Sequence, residues 1–251
     1  MTRQNLSRTV AAAFTAILLS TAAFAADSVP APIAAAVADA GRPAADKERD
    51  ANRKPGEVVA FAGVKPGMTV AELGPGGGYY TRILAKSVGP TGKVLALLTP
   101  AAAARPQVKE NFDKLTAEYP NIKVVTVDYT AMGSLPEKAD LFWTTENYHD
   151  FHNGPTANIT ALNKGVFDNL KAGGIFYVED HNAADGAGLE ATSKVHRMDV
   201  AIAKTELAAV GFKIEAEGTA LKNPNDNRAA ANSEGGAHFV TERFMLRAKK
   251  P

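Results

Sequence analysis

The 251-residue chain contains no cysteine. That excludes disulfides and thiol catalysis, and with them a lipid-modified cysteine behind an export leader. It also lacks an excess of either charge, with 28 Lys and Arg against 27 Asp and Glu. Nothing in that balance points to nucleic acid or an anionic membrane as a partner. Its N-terminal apolar run, residues 10–19, is too short to cross a bilayer, so no membrane insertion is expected. There is no internal repeat and no long low-complexity linker.

What is present at the N-terminus has the layout of an export signal. Arg3 and Arg8 precede the apolar run, and Ala23-Phe24-Ala25 supplies a small-residue cleavage site. Residues 1–25 are therefore expected to be removed, leaving a soluble periplasmic or secreted protein that starts at Ala26. Without the two leader arginines the net charge falls to near −1. Residues 26–45 are rich in Ala and Pro and poor in large side chains, which reads as a mobile arm or a weak helix. The rest, 46–251, is long enough for one domain with a full core. Nothing in the sequence speaks to oligomeric state.

The chain is organised around residues 69–78, Thr-Val-Ala-Glu-Leu-Gly-Pro-Gly-Gly-Gly. The first five make a short apolar run of the kind found in buried parallel strands. Glu72 sits near its end, a glycine turn follows, and from Tyr79 the apolar spacing becomes helical through Tyr80, Ile83, Leu84 and Val88. Gly74 and Gly76 allow a sharp turn and a close backbone approach to a ligand. A dinucleotide site would ask for G-x-G-x-x-G, with a third glycine at position 79. That position is Tyr.

Beyond this unit, strands and helices alternate. Strands are expected over 93–98, 122–127, 140–145, 174–179, 212–217 and 243–248, and helices over 108–118, 159–170 and 199–210. This pattern predicts an α/β fold with a doubly wound, mainly parallel sheet of seven strands, its ligands at the carboxyl ends. The last two strands join without a helix, so the final one can run antiparallel.

The stretch acidic-x-G-x-G-x-G at 72–78 resembles the first motif of class I S-adenosylmethionine-dependent methyltransferases. Over 46–250 the order of elements is similar to theirs, and Lys171-Ala172-Gly173-Gly174 resembles the turn before their fifth strand. More narrowly, the chain is identified as a member of a group of exported, poorly characterised predicted methyltransferases. The stretches that carry this are Arg53-Lys54-Pro55, Gly77-Gly78-Tyr79-Tyr80, Asn147-Tyr148-His149-Asp150, Asp180-His181, His196-Arg197-Met198-Asp199 and Asn223-Pro224. The resemblance implies S-adenosylmethionine as cofactor, held by Glu72, Gly74, Gly76, Gly78, Tyr79, Thr99, Asp128 and Glu146. It also implies methyl transfer to a small-molecule or envelope acceptor. The family's acid at the end of strand two is missing here, because no acidic residue occurs between Glu72 and Glu110. A charge-assisted contact of that kind is worth ~1.5–3 kcal/mol.

Four of the five histidines fall at or beyond strand ends. His149 with Asp150, or His181 with Asp180, is a candidate general base that would deprotonate the acceptor. His196, Asn223 and Arg228 are candidates for the substrate, Arg228 as a clamp for a carboxylate or phosphate. Equally, these groups can simply cap helices and bond loops. No metal is assigned, although His149, His152 and His181 with a carboxylate would make a metal site if their loops converged. Two other classes therefore stand beside the methyltransferase: a nucleoside-binding module without catalysis and a metal-dependent enzyme.

Overall fold

The structure is a computed structural model that describes residues 29–231 and 241–251. The leader lies outside them. Seven strands form one sheet: β1 (Thr69–Leu73), β2 (Lys93–Leu98), β3 (Ile122–Thr126), β4 (Ala139–Thr145), β5 (Leu170–His181), β6 (Lys213–Gly218) and β7 (Arg243–Lys249). Their order is β3-β2-β1-β4-β5-β7-β6, parallel throughout except for β7, which is antiparallel to both neighbours. The expected doubly wound sheet is thus present, with its antiparallel last strand.

Ten helices accompany the strands among the described residues: α1 (Ala31–Val37), α2 (Ala44–Lys47), α3 (Asp50–Arg53), α4 (Pro55–Ala62), α5 (Tyr79–Val88), α6 (Pro100–Ala103), α7 (Pro106–Glu118), α8 (Ile159–Asn169), α9 (Glu190–Lys194) and α10 (Val200–Ala209). Each face of the sheet carries its own core. Val58, Val59, Ile83, Leu84, Leu115 and Trp143 belong to one, and Leu73, Phe142, Leu162, Val166, Phe176 and Leu207 to the other. Strands buried on both sides need continuous apolar runs. β1 has them, since all five residues are buried, including the ionisable Glu72. The edge strand β6 instead alternates between exposed and half-buried positions.

Two local differences from the sequence pattern have clear causes. The glycine turn expected before the fifth strand is a bulge within β5: pairing jumps from Ala139–Leu170 to Leu141–Ile175, and Gly173 adopts φ +74°. Residues 29–45, within the stretch expected as a mobile arm or a weak helix, are anchored. Ile33 and Ala36 of α1 are buried. Arg42 donates to Asp50 through Nη1 at 2.7 Å and Nη2 at 2.6 Å and to the Val37 carbonyl at 2.6 Å. Asp50 in turn accepts from the Tyr79 hydroxyl at 2.6 Å, so this segment is tied to the start of α5. No helix among the described residues is long and apolar enough to cross a membrane.

Candidate functional site

The chain leaves β1 for β2 on one side and returns to β4 on the other. The carboxyl ends of β1 and β4 therefore part at a topological switch point, where open α/β sheets bind ligands. Asn147, just past β4, spans this gap by donating to the carbonyls of Gly74 at 3.1 Å and Thr145 at 2.7 Å. Gly74 adopts φ +61°, which favours glycine, and a Cβ there would lie 2.9 Å from the Asn147 amide nitrogen and push that side chain off its bond.

Two hollows open here and share Gly74, Pro75, Gly76 and Asn147. One, of about 150 Å³, is lined further by Arg49, Arg53, Glu72, Tyr79, Tyr80 and Glu146. The other, of about 250 Å³, is lined by Leu98, Thr99, Arg105, Val108, Tyr129 and Phe151 among others. At Gly76, with φ +54°, an added Cβ would have no heavy atom within 4 Å, so this turn presents bare backbone to open space. Gly78 has a different task. A Cβ there would sit 2.6 Å from Leu115 Cδ1, so it lets α5 pack closely and lines neither hollow.

The smaller hollow is a nest of charge. Glu72 is 3% exposed, and burial raises its pKa to about 7 against the bond donated by Thr81 Oγ1 at 2.6 Å. Glu146 holds φ +55°, an uncommon backbone for a residue with a side chain. Its carboxylate accepts from Arg53 and from Arg243 Nη1 at 2.8 Å, while its N–H donates to the Glu179 carbonyl at 2.9 Å. Glu179 is fully buried. Burial pushes its carboxyl up, and Arg243 Nη1, at 3.1 Å, pulls it back. Arg49 alone of these cations has no ion-pair partner among the described residues, and burial together with Arg53 lowers its pKa. Tyr79, 5% exposed, does not swing over the hollow: the Arg42, Arg49 and Arg53 guanidinium carbons lie 4.8–5.3 Å from its ring centre.

In the larger hollow, Tyr129 takes the place expected for Asp128. The exposed Asp128 carboxylate accepts from Thr130 N and Oγ1, both at 2.9 Å, and lines neither hollow. The Tyr129 hydroxyl donates to the Leu97 carbonyl at 2.6 Å and accepts from Gly74 N at 2.9 Å. Thr99 does line the hollow, with its hydroxyl engaged as the N-cap of α6, accepting from Ala102 N at 3.2 Å.

The four histidines among the described residues lie outside both hollows. His149 is 3% exposed, with Nδ1 at 2.8 and 3.0 Å from the two oxygens of the buried Asp180 and Nε2 3.3 Å from Asp150 Oδ1. Burial lowers its pKa, but Asp180 and the bonds to both carboxylates override this and raise it to about 10. A group protonated over that range is a poor general base at neutral pH. His181 Nδ1 lies 2.7 Å from Thr241 Oγ1. His152 diverges from both, with Nε2 2.9 Å from Glu206 Oε1. His149, His152 and His181 therefore do not converge on a metal. His196 does approach His149, with ring centres 5.6 Å apart. Arg228 pairs with Asp185 of the loop after β5 at 2.7 Å, and Asn223 accepts from Asn225 N within its own loop at 3.1 Å; neither residue lines either hollow.

Of the cofactor residues that the resemblance implies, Glu72, Gly74, Gly76, Tyr79, Thr99 and Glu146 line the hollows, and so do Arg49, Asn147, Tyr129 and Phe151, which were not among them. Asn147 and Arg53 lay within stretches singled out by resemblance. Arg49 lies in the charged run Lys47-Glu48-Arg49-Asp50, which belongs to no motif.

No protein-family model matches the chain, and no curated protein matches it in sequence. Its fold is that of several solved structures. A SAM-dependent methyltransferase from Aquifex aeolicus is 16% identical with a TM-score of 0.55, over 84% of this chain and 99% of that one. The N-methyltransferase NodS from Bradyrhizobium japonicum is 12% identical with a TM-score of 0.55, over 81% and 96%. The [4+2]-cyclase SpnF is 15% identical with a TM-score of 0.56, over 88% and 92%. The shared fold is the Rossmann-like methyltransferase fold, and the cyclase among these proteins means that the fold alone does not fix the reaction.

Proposed function

We propose that the protein binds S-adenosylmethionine across the glycine loop and transfers its methyl group to a small-molecule or envelope acceptor outside the cytoplasm. The observation that carries this reading is the joining of two unlike hollows through Gly74, Gly76 and Asn147. The charged one suits an amino-acid end, and the one walled by Leu98, Val108, Tyr129 and Phe151 suits a flat heterocycle. Gly76, where a Cβ would stand in open space, is the backbone such a ligand would cross.

The residues fit this cofactor group by group. Arg49, without an ion-pair partner among the described residues, would take the carboxylate, and Glu72 would take the ammonium. Thr99 and the backbone around it would serve the sugar without a carboxylate. When bound, the cofactor supplies an electrophilic methyl on a sulfonium. Around it, the chain's own residues bind and orient: Asn147 holds the two strand ends together, and the Glu146–Arg53–Arg243 network fixes the wall. The location rests on Arg3, Arg8, residues 10–19 and the Ala23-Phe24-Ala25 site. The fold relatives named above include methyltransferases, which supports the reaction class.

A second reading, a nucleoside-binding module without methyl transfer, draws on one observation: no histidine among the described residues lines either hollow. Calorimetric titration of the mature protein with S-adenosylmethionine and its demethylated product tests the site. Both should bind to wild type and neither to Gly76→Val, and absence of binding to wild type would sink the proposal. Transfer of a labelled methyl group to an envelope extract or a small-molecule panel separates enzyme from binding module.

A further inference from the structure

We propose that His149, Asp150 and His196 bind one divalent transition-metal ion beside, but outside, the glycine-loop trough. His149 Nε2 lies 3.3 Å from Asp150 Oδ1, and His196 Nδ1 lies 3.8 Å from the same oxygen. One ligand atom from each of the three residues falls within 4.8 Å of the others. Ligands at ~2.0–2.2 Å from a common ion stand ~3–3.5 Å apart, so a small rotation of the half-exposed Asp150 and His196 side chains completes the site.

The surroundings are built as a metal site requires. A metal-bound imidazole is normally oriented by a carboxylate on its other nitrogen. Asp180, fully buried, is bonded to His149 Nδ1 and held in turn by the N–H groups of His149 at 2.6 Å and His181 at 2.7 Å. That leaves Nε2 aimed at Asp150. His196 adopts φ +51°, a left-handed backbone that a side-chain-bearing residue rarely takes without a reason in its surroundings. Its neighbours keep it in place. Arg197, buried, donates to the Asn182 carbonyl at 2.9 Å and to Asp226 at 2.8 Å, and Met198 N donates to the His181 carbonyl at 2.8 Å. Both sides of the site are therefore fixed to the end of β5.

Two imidazoles and one carboxylate, with solvent on the open side, suit zinc and its neighbours rather than calcium or magnesium, which prefer all-oxygen shells. The ion would tie the Asp150 turn, through His149, to the buried Asp180 at the end of β5. It would also stiffen the turn at Asp150–His152, whose central residue, Phe151, walls the larger hollow.

The test uses the full mature chain, freed of metal by dialysis against a chelator and titrated with zinc in competition with a chromophoric chelator. Cobalt absorption reports the coordination sphere. Wild type should take up one equivalent of zinc. Asp150→Asn and His196→Ala, both at half-exposed positions, should each weaken binding by ~10-fold or more. His152→Gln, whose partner is Glu206, should bind as wild type does. Circular dichroism and melting curves establish that each variant is folded. Failure of wild type to bind stoichiometrically at micromolar concentration would overturn the proposal. So would unchanged affinity in both ligand variants, or an equal loss in His152→Gln.

Discussion

The hydroxyl of Tyr129 accepts a hydrogen bond from the backbone N–H of Gly74 at 2.9 Å. The same oxygen donates to the Leu97 carbonyl at 2.6 Å. One side chain, standing just after β3, therefore ties together the ends of β1 and β2 and closes the floor of the larger hollow. The first N–H of the glycine loop is used by the protein itself, and a ligand must be met by the backbone farther along, around Gly76.

Tyr129→Phe removes both bonds and leaves a part-buried donor and acceptor without their partner. The variant should lose about 1–3 kcal/mol of unfolding free energy. Urea denaturation measures this, and ligand affinity should fall as the loop loosens. A variant as stable as wild type would show that water replaces the hydroxyl freely.

Glu72 carries a pH dependence whose sign follows from its raised pKa of about 7. A carboxyl that titrates near 4.5 in the unfolded chain and near 7 in the folded one favours the folded state while protonated. That contribution is complete below pH 4.5 and is lost as pH rises through 7. Glu72→Gln should therefore lose less stability than wild type between pH 5 and pH 8, by up to about 3 kcal/mol. Glu179 titrates in both proteins and cancels in the comparison. Equal pH slopes for the two proteins would contradict the burial argument.

Arg49 and Arg53 stand side by side and should respond differently. Arg53 is part of a buried network with Glu146 and Arg243, so Arg53→Met should destabilise the fold by about 3 kcal/mol or more. Arg49 has no such partner among the described residues, so Arg49→Gln should leave stability nearly unchanged. It should weaken binding of the demethylated cofactor by ~10- to 100-fold. Paired melting and calorimetry on the two variants check the contrast.

Position 99 offers a gain of function. Leu98 is 5% exposed, so an acid there would be buried in the core. Thr99 caps α6, and Asp is an equally good N-cap. Thr99→Asp should therefore keep the stability of wild type while adding the carboxylate that the strand-two end lacks. Nucleoside affinity should rise by ~1–2 kcal/mol, about 10-fold. Dissociation constants at one ionic strength decide it, and no gain would favour a ligand without a ribose at this place.

The sequence by itself determined the fold class, because strand and helix periods and the glycine turn are local properties that tertiary packing only had to accept. The order of alternating elements, with two final strands lacking a helix between them, was enough to expect seven strands with the last one antiparallel. It also led to Glu72, Gly74 and Gly76, since strand, turn and helix are contiguous in the chain. Tertiary structure alone decided which polar groups meet. Arg49 and Arg53 precede β1 by about 20 residues and reach the hollow only because α1 and Arg42 anchor their segment. Asp128 and Tyr129 are adjacent, yet local turn bonding sends the first into solvent and the strand ends capture the second. His149, His152, His181 and His196 lie 3 to 47 residues apart in the sequence, and the spacing suggested His149, His152 and His181. The direction of each side chain separated them, with His152 drawn to Glu206 on α10 and His196 brought to His149 by a left-handed backbone pinned to β5.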